Sequence, residues 1–158
     1  MNALGNTVLN PDSGEPQYLL VVEDDDLDVE LIRRCMNETE HPATIVHAPH
    51  GQAALDILYS PDSELTDKRV AVTIDLNMPR MTGLELIEKL RAEATFTGLP
   101  LFVFSGSELA SDIERAKSLN VNGYVTKPTG LRDMKDAVAT LMRFLQLTHI
   151  SPYKPPVS

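Results

Sequence analysis

The stretch YLLVVEDDD, residues 18–26, indicates the fold. Its first five residues are an uninterrupted apolar run, which is typical of a strand buried on both faces of a parallel sheet. The run ends abruptly in four acidic residues, and a helical spacing follows from Leu27 through Leu31 to Cys35. The stretch therefore predicts a buried strand, a junction crowded with carboxylates, and a helix.

The same alternation of strand and helix recurs four more times along the chain. Further strands are predicted at residues 44–47, 70–74, 101–104 and 123–126. The helix faces predicted after them carry Ala53, Ala54, Ile57 and Leu58; Leu86, Ile87 and Leu90; Ile113, Ala116 and Leu119; and Leu131, Met134, Val138, Leu141 and Leu145. Thr82 and Glu85 form a capping box at the start of the third helix. Five strand–helix units in series predict an α/β fold, a doubly wound five-stranded parallel sheet.

Composition and patterning divide the chain into one domain with two flanking segments and exclude several classes of protein. Residues 17–147 carry the alternation and are predicted to form one domain, flanked by a mobile N-terminal arm at 1–16 and an extended, proline-containing tail at 148–158. A net charge of −9 argues against nonspecific binding to nucleic acid or to an anionic membrane. The single cysteine, Cys35, excludes an internal disulfide and a Cys-rich zinc site. Neither a membrane span nor a signal peptide is recognisable, so we expect a soluble cytoplasmic protein.

Reactive side chains directly follow four of the predicted strands. Glu23 and Asp24 follow the first strand, Asp75 follows the third, Ser105 follows the fourth and Lys127 follows the fifth. Ligands of open α/β sheets bind outside the carboxyl ends of the strands. We therefore expect three carboxylates, one hydroxyl and one ammonium at a single edge of the sheet.

Such a group of carboxylates needs a compensating cation. Each pair repels by roughly 4 kcal/mol at 4 Å in an effective dielectric near 20. Ligands that are all oxygen suit a hard cation, Mg²⁺ in particular, which also binds phosphate oxygens. One aspartate could then act as a nucleophile without a general base, because it is already ionised at pH 7. The pattern indicates half of a phosphoryl-transfer centre.

Four pieces of the sequence, taken in order, resemble the receiver domain of two-component response regulators. They are VVED at 21–24, IDLNMPRMTG at 74–83, FSG at 104–106 and YVTKP at 124–128. The resemblance covers about residues 17–147 and implies the flavodoxin-like receiver fold. It also implies a signalling domain rather than an enzyme. Thr82 departs from the more usual Asp before the glycine, and Ser105 from the commoner Thr.

The resemblance also implies a role for each site residue. Asp75 would accept a phosphoryl group from the phosphohistidine of a histidine kinase or a histidine phosphotransfer protein. The implied Mg²⁺ ligands are Asp24, Asp75 and the backbone carbonyl of Asn77, with Glu23 acting directly or through water. The implied phosphoryl-binding and switch residues are Ser105, Lys127 and the aromatic Tyr124. Gly106 and Pro128 are further predicted site residues, and Pro128 is expected to set the geometry of its loop. Phosphorylation would then remodel the face made by the fourth helix, fifth strand and fifth helix.

A narrower resemblance concerns stand-alone regulators associated with phytochromes. It depends on the Glu23-Asp24 start, the long loop at 60–69, the YVTKP piece, and the ending FLQLT at 144–148 with Pro152. Those regulators lack a DNA-binding output domain, and the resemblance implies a phytochrome-like histidine kinase as partner. A homodimer through the fifth helix and the tail is a further hypothesis.

Several other interpretations stay open at this point. The spacing of Asp24, Asp26 and Asp28 resembles the start of an EF-hand calcium loop, but Val29 and Cys35 stand where that loop requires Gly and Glu. Helix capping therefore explains Asp25, Asp26 and Asp28 better than metal binding. The pair His47 and His50 lacks a third ligand and is interpreted as a surface pair rather than a zinc site. The competing functions are an unphosphorylated receiver-like adaptor and, less favoured, a phosphatase with an aspartate nucleophile. Such a phosphatase would need an acid where Asn77 stands.

Overall fold

The computed structural model of the chain describes residues 17–157, so the predicted N-terminal arm lies outside the described residues. Strands and helices alternate throughout this range. The strands are β1 (Gln17–Val22), β2 (Thr44–Ala48), β3 (Arg69–Ile74), β4 (Leu101–Ser105) and β5 (Gly123–Thr126). The helices are α1 (Asp26–Asn37), α2 (Gly51–Tyr59), α3 (Gly83–Ala92), α4 (Ala110–Ser118) and α5 (Leu131–Leu147), and a single 3₁₀ turn spans Ala94–Phe96. The predicted doubly wound α/β fold is confirmed.

All five strands are parallel and lie in the order β2-β1-β3-β4-β5. The last residue of β1, Val22, pairs with both Ala48 of β2 and Ile74 of β3. At the other side of the sheet Ser105 pairs with Thr126. Because the carboxyl ends of the strands are in register, the residues that follow them meet at one edge.

The sheet is covered on both faces by separate apolar layers. Leu20, Val22, Val72 and Ile74 point into the layer beneath α2, α3 and α4. The alternate residues of the same strands, such as Leu19, Val21 and Ala71, point into the layer beneath α1 and α5. Burial on both faces is the reason that the central strands are continuous apolar runs in the sequence.

Helix α5 packs as predicted, whereas helix α1 does so only in part. Met134, Val138, Leu141 and Leu145 of α5 are all buried. In α1, Cys35 is buried and Leu31 is half-buried against the same layer, as predicted, but the start of the face is wrong, since Leu27 is 76 % exposed. The buried residues of α1 are Val29, Ile32, Cys35 and Met36. The buried face is therefore rotated from the predicted one, and the two faces share Cys35. Within residues 17–157, no helix is long and apolar enough to cross a membrane.

The tail after α5 packs on the core, which the sequence analysis did not anticipate. Tyr153 donates its backbone N–H to the Lys68 carbonyl at 2.7 Å and accepts from the Asp67 N–H at 2.8 Å. Its ring stacks on Phe96 with centroids 6.4 Å apart, and its hydroxyl donates to the carbonyl of Leu58. The tail therefore covers the amino end of β3, opposite the edge where the predicted site residues gather.

Candidate functional site

Three backbone hydrogen bonds carry the sheet ladder one step past the strand ends. The N–H of Glu23 donates to the Ala48 carbonyl and that of Asp75 donates to the Val22 carbonyl, both at 3.1 Å. The N–H of Lys127 donates to the Ser105 carbonyl at 2.8 Å. The residues that follow β1, β3 and β5 are thus held in register with the sheet, and their side chains emerge at the same edge.

Glu23, Asp24 and Asp75 form an acidic cluster at this edge. Each contributes a carboxylate oxygen, and these oxygens lie within 4.8 Å of one another. Glu23 and Asp75 are buried, whereas Asp24 is exposed, so the cluster has one side open to solvent. A donor set made only of oxygens, with this excess of negative charge, suits a hard divalent cation. The cluster could therefore hold a metal ion.

The two oxygens of Asp75 have different partners. Oδ1 accepts from the Ser105 hydroxyl at 2.7 Å and from the Asn77 N–H at 3.2 Å. Oδ2 lies 3.4 Å from Nζ of Lys127. Oγ of Ser105 also accepts from the backbone N–H groups of Leu76 at 3.3 Å and Ser107 at 3.4 Å, so its own proton is directed at Asp75. The structure thus brings the predicted acceptor, hydroxyl and ammonium together.

Lys127 is shared by three carboxylates from three parts of the chain. Its Nζ lies 2.8 Å from Oε2 of Glu23, 2.8 Å from Oδ2 of Asp28 and 3.4 Å from Oδ2 of Asp75. Burial alone would lower the pKa of Lys127, but the hydrogen bonds to Asp28 and Glu23 and the charge of Asp75 raise it. The ammonium is therefore charged at any physiological pH.

Asp28 is the residue that sequence reasoning missed. It lies in the first turn of α1 and was explained there by helix capping alone. The cap itself is Asp25, whose Oδ1 accepts from the N–H groups of Leu27 at 2.9 Å and Asp28 at 3.4 Å. A helix that begins directly after a site strand presents its first turn to the same edge of the sheet. The position of Asp28 in that first turn was the sequence signal that could have placed it at the site.

The pKa of Glu23 is raised to about 7. Burial is the main cause and the charge of Asp75 adds to it, while the hydrogen bond from Lys127 opposes both. Glu23 is therefore partly protonated near neutral pH when no cation is bound. A cation at the cluster would favour the ionised form, because opposite charge lowers the pKa of a carboxyl group.

The raised pKa of Glu23 predicts that the metal-free protein becomes less stable to unfolding as pH rises. In the unfolded chain the group has a pKa near 4.5. The folded state binds the proton more tightly, so this stabilisation is present below pH 4.5 and is lost as pH rises through about 7. Between these two pH values we expect the free energy of unfolding to fall by up to about 3 kcal/mol more for the protein with Glu23 than for the Glu23→Gln variant. Urea denaturation at several pH values in EDTA measures it.

Added Mg²⁺ is expected to reverse this trend, since it favours the ionised carboxylate. The Glu23→Gln variant is the control, because it keeps the side chain size and removes the titration. Equal pH dependence for the two proteins in EDTA would contradict the prediction.

Tyr124 is linked to the loop between β4 and α4. Its hydroxyl donates to the Ser107 carbonyl at 2.8 Å, and burial raises the pKa of Tyr124. The Ser107 hydroxyl in turn donates to Asp112 of α4 at 2.6 Å. Gly106 lies in the same loop, where an added Cβ would stand 3.9 Å from the Lys127 carbonyl, an ordinary contact. The inward swing of Tyr124 stays a prediction.

His47 and His50, the predicted surface pair, have separate structural contacts. Nδ1 of His50 accepts from the Ala53 N–H at 3.0 Å and caps α2. The imidazole N–H of His47, at Nε2, donates to the Glu23 carbonyl at 2.7 Å and helps to hold the end of β1. His47 thus supports the acidic cluster through the backbone.

Comparisons with known proteins point to one kind of domain. A family model described as "Response regulator receiver domain" matches residues 19–139. The chemotaxis protein CheY homolog of Campylobacter jejuni is 30% identical over 124 residues, which cover 78% of this chain and 91% of that protein.

Solved structures are similar over most of both chains. Response regulator RPA3017, described in red light signaling of R. palustris, is 28% identical with a TM-score of 0.73, over 90% of this chain and 99% of its own. The phosphorylated cyanobacterial phytochrome response regulator RcpA is 25% identical with a TM-score of 0.76, over 85% of this chain and 98% of its own. The range matched by the family model contains the acidic cluster, Ser105 and Lys127.

Proposed function

Because the chain belongs to the response regulator receiver domain family, we propose that it is a phosphorylation-controlled switch in which Asp75 is the phosphoryl acceptor. Receiver domains accept phosphate from histidine kinases, so the donor is the phosphohistidine of such a kinase or of a histidine phosphotransfer protein. The observation that carries the proposal is the buried Asp75 carboxylate with the Ser105 hydroxyl at 2.7 Å and the Lys127 ammonium at 3.4 Å.

In the proposed transfer, an oxygen of Asp75 attacks the phosphorus of the phosphohistidine. The new O–P bond forms as the P–N bond breaks, and the imidazole nitrogen keeps the electron pair of that bond and takes up a proton. No general base is needed, because a carboxylate nucleophile has no proton to lose as it attacks. The Lys127 ammonium offsets negative charge as the phosphoryl group arrives.

The acidic cluster supports Mg²⁺ as the cofactor. Glu23, Asp24 and Asp75 would hold the ion, with the backbone carbonyl of Asn77 as the further predicted ligand. Bound Mg²⁺ supplies positive charge for the phosphoryl oxygens. The exposed position of Asp24 leaves the site open on the side from which a phosphodonor must approach.

Phosphorylation would change the contacts of Ser105 and Lys127. The phosphoryl group adds about −1.5 to −2 charges and three strong acceptor oxygens, which compete with Asp75 for both donors. The backbone after Ser105 leads to Ser107, whose carbonyl holds the Tyr124 hydroxyl. We therefore propose that the loop before α4 and Tyr124 move together, and that the face of α4, β5 and α5 reports the change to partners.

The alternatives of the sequence analysis receive less support. The side chain of Asn77 cannot serve as a general acid, which a phosphatase with an aspartate nucleophile would need at this position. An adaptor without phosphorylation would not require a buried hydroxyl and ammonium around Asp75. The similarity to RcpA and RPA3017 supports a phytochrome-like histidine kinase as the partner. The homodimer through α5 stays a hypothesis.

Acetyl phosphate tests the proposal without a kinase. We expect the purified protein to gain one phosphoryl group with acetyl phosphate and Mg²⁺, seen by intact mass, and none in EDTA. Hydroxylamine should remove the group, because an acyl phosphate is labile to it, and peptide mapping should place it on Asp75. Absence of any adduct, or an adduct on another residue, would overturn the proposal.

A further inference from the structure

Asp28 contacts the Lys127 ammonium but has no part in the function proposed above. Its Oδ2 lies 2.8 Å from Nζ, as close as the carboxylate of Glu23. The side chain of Lys127 is 11% exposed and that of Asp28 is 25% exposed, so water screens the pair only partly. The contact is therefore a partly buried ion pair rather than a surface one.

The ammonium lies nearer to Asp28 and Glu23 than to Asp75. Charge-assisted hydrogen bonds between an ammonium and a carboxylate are typically about 2.7–2.9 Å long. The two contacts at 2.8 Å fall in this range, whereas the 3.4 Å contact with Asp75 is longer. Asp28 and Glu23 thus hold Nζ back from the residue that would carry the phosphoryl group.

Asp28 is held by α1 and not by Asp75, the residue that would carry the phosphoryl group. It belongs to the first turn of α1, and its backbone N–H donates to the capping carboxylate of Asp25 at 3.4 Å. Movement of Nζ toward a phosphoryl group on Asp75 would therefore lengthen the contact with Asp28, since α1 does not follow the lysine.

We propose that Asp28 is a positioning residue that retains the Lys127 ammonium in the unphosphorylated state and competes with the phosphoryl group for it. The inference rests on the proposed function of Asp75. It predicts that removing the charge of Asp28 favours the phosphorylated state, because the free protein loses an ion pair that the phosphorylated protein has already weakened.

Binding of beryllofluoride, a phosphoryl mimic, in saturating Mg²⁺ tests the proposal by fluorine NMR. We expect Asp28→Asn to bind about three- to tenfold more tightly than the unmodified protein. Asp28→Glu keeps the negative charge, so its affinity for beryllofluoride should stay close to that of the protein with Asp28. Asp28→Ala provides a second neutral variant in case the asparagine perturbs folding, and circular dichroism checks both.

Asp26→Asn is the matched control. Asp26 lies in the same first turn of α1 and is exposed, so its replacement makes the same change in net charge. We expect its beryllofluoride affinity to change less than twofold, because exposed charges are screened. This control separates the contact with Lys127 from the general reduction of negative charge.

The outcomes distinguish the two proposals. Equal effects of Asp28→Asn and Asp26→Asn, or weaker binding by Asp28→Asn, would overturn the role of Asp28 alone. A merely structural Asp28 would destabilise free and bound protein equally and leave the affinity unchanged, which is also a negative result. Failure of the unmodified protein to bind beryllofluoride with Mg²⁺ would overturn the function proposed for Asp75, and the role of Asp28 with it.

Discussion

The Asp75→Asn variant is expected to show no phosphoryl adduct after incubation with acetyl phosphate and Mg²⁺. An amide has almost the same size and shape as the carboxylate, and its oxygen can still accept the hydrogen bond from Ser105. It is, however, a very poor nucleophile and carries no charge for Lys127 or for a cation. Intact mass spectrometry of the two proteins, treated in parallel, measures the difference.

Unfolding is not expected to explain this loss. Neutralising Asp75 removes its repulsion with Glu23 and Asp24 but also its 3.4 Å contact with the Lys127 ammonium, so we expect only a small net change in stability. Asp26→Asn, which neutralises an exposed aspartate in the first turn of α1, should be labelled normally. An adduct of unchanged yield in Asp75→Asn would contradict the assignment of Asp75 as acceptor.

The Gly83→Ala variant is expected to be strongly destabilised. An added Cβ would stand 2.6 Å from the Leu76 Cα and 2.9 Å from the Asp75 carbonyl carbon, and closer still to the Asp75 carbonyl oxygen. All three are backbone atoms, so no side chain can move aside. The start of α3 would have to separate from the end of β3, and Asp75 would be displaced with it.

We expect this change to cost about 3 kcal/mol or more, beyond the usual range for overpacking, because the backbone itself must shift. Folded domains are typically stable by only about 5–15 kcal/mol, so we expect a large share of the variant to unfold at modest urea concentrations. Urea denaturation followed by circular dichroism measures the loss. The fraction that stays folded should also be phosphorylated more slowly.

Gly98→Ala is the control for this substitution. Gly98 is exposed, and an added Cβ there would meet no atom of the described chain within 4 Å. Its replacement should be neutral or slightly stabilising, because alanine restricts the unfolded chain more than glycine does. Similar denaturation midpoints for Gly83→Ala and Gly98→Ala would contradict this expectation.

Much of the arrangement at the sheet edge was predictable from local sequence. Glu23, Asp75 and Lys127 each directly follow an apolar strand, and a residue that follows a parallel strand emerges at the carboxyl edge whatever the details of packing. The contact of Asp28 with Lys127 was not predictable in this way. It depends on the direction in which α1 leaves β1 and on the proximity of β5, which hydropathy does not encode.

Local hydropathy predicted the five strand–helix units, the doubly wound sheet and the residues that gather at its edge. It did so because strands buried on both faces are continuous apolar runs whose ends are visible along the chain. Tertiary contacts set how far the buried face of α1 is rotated, where Tyr153 anchors the tail, and which carboxylates share the Lys127 ammonium. These contacts join positions as distant as Glu23 and Lys127, 104 residues apart. Their partners are set by strand order and helix rotation, and neither follows from periodicity in one dimension.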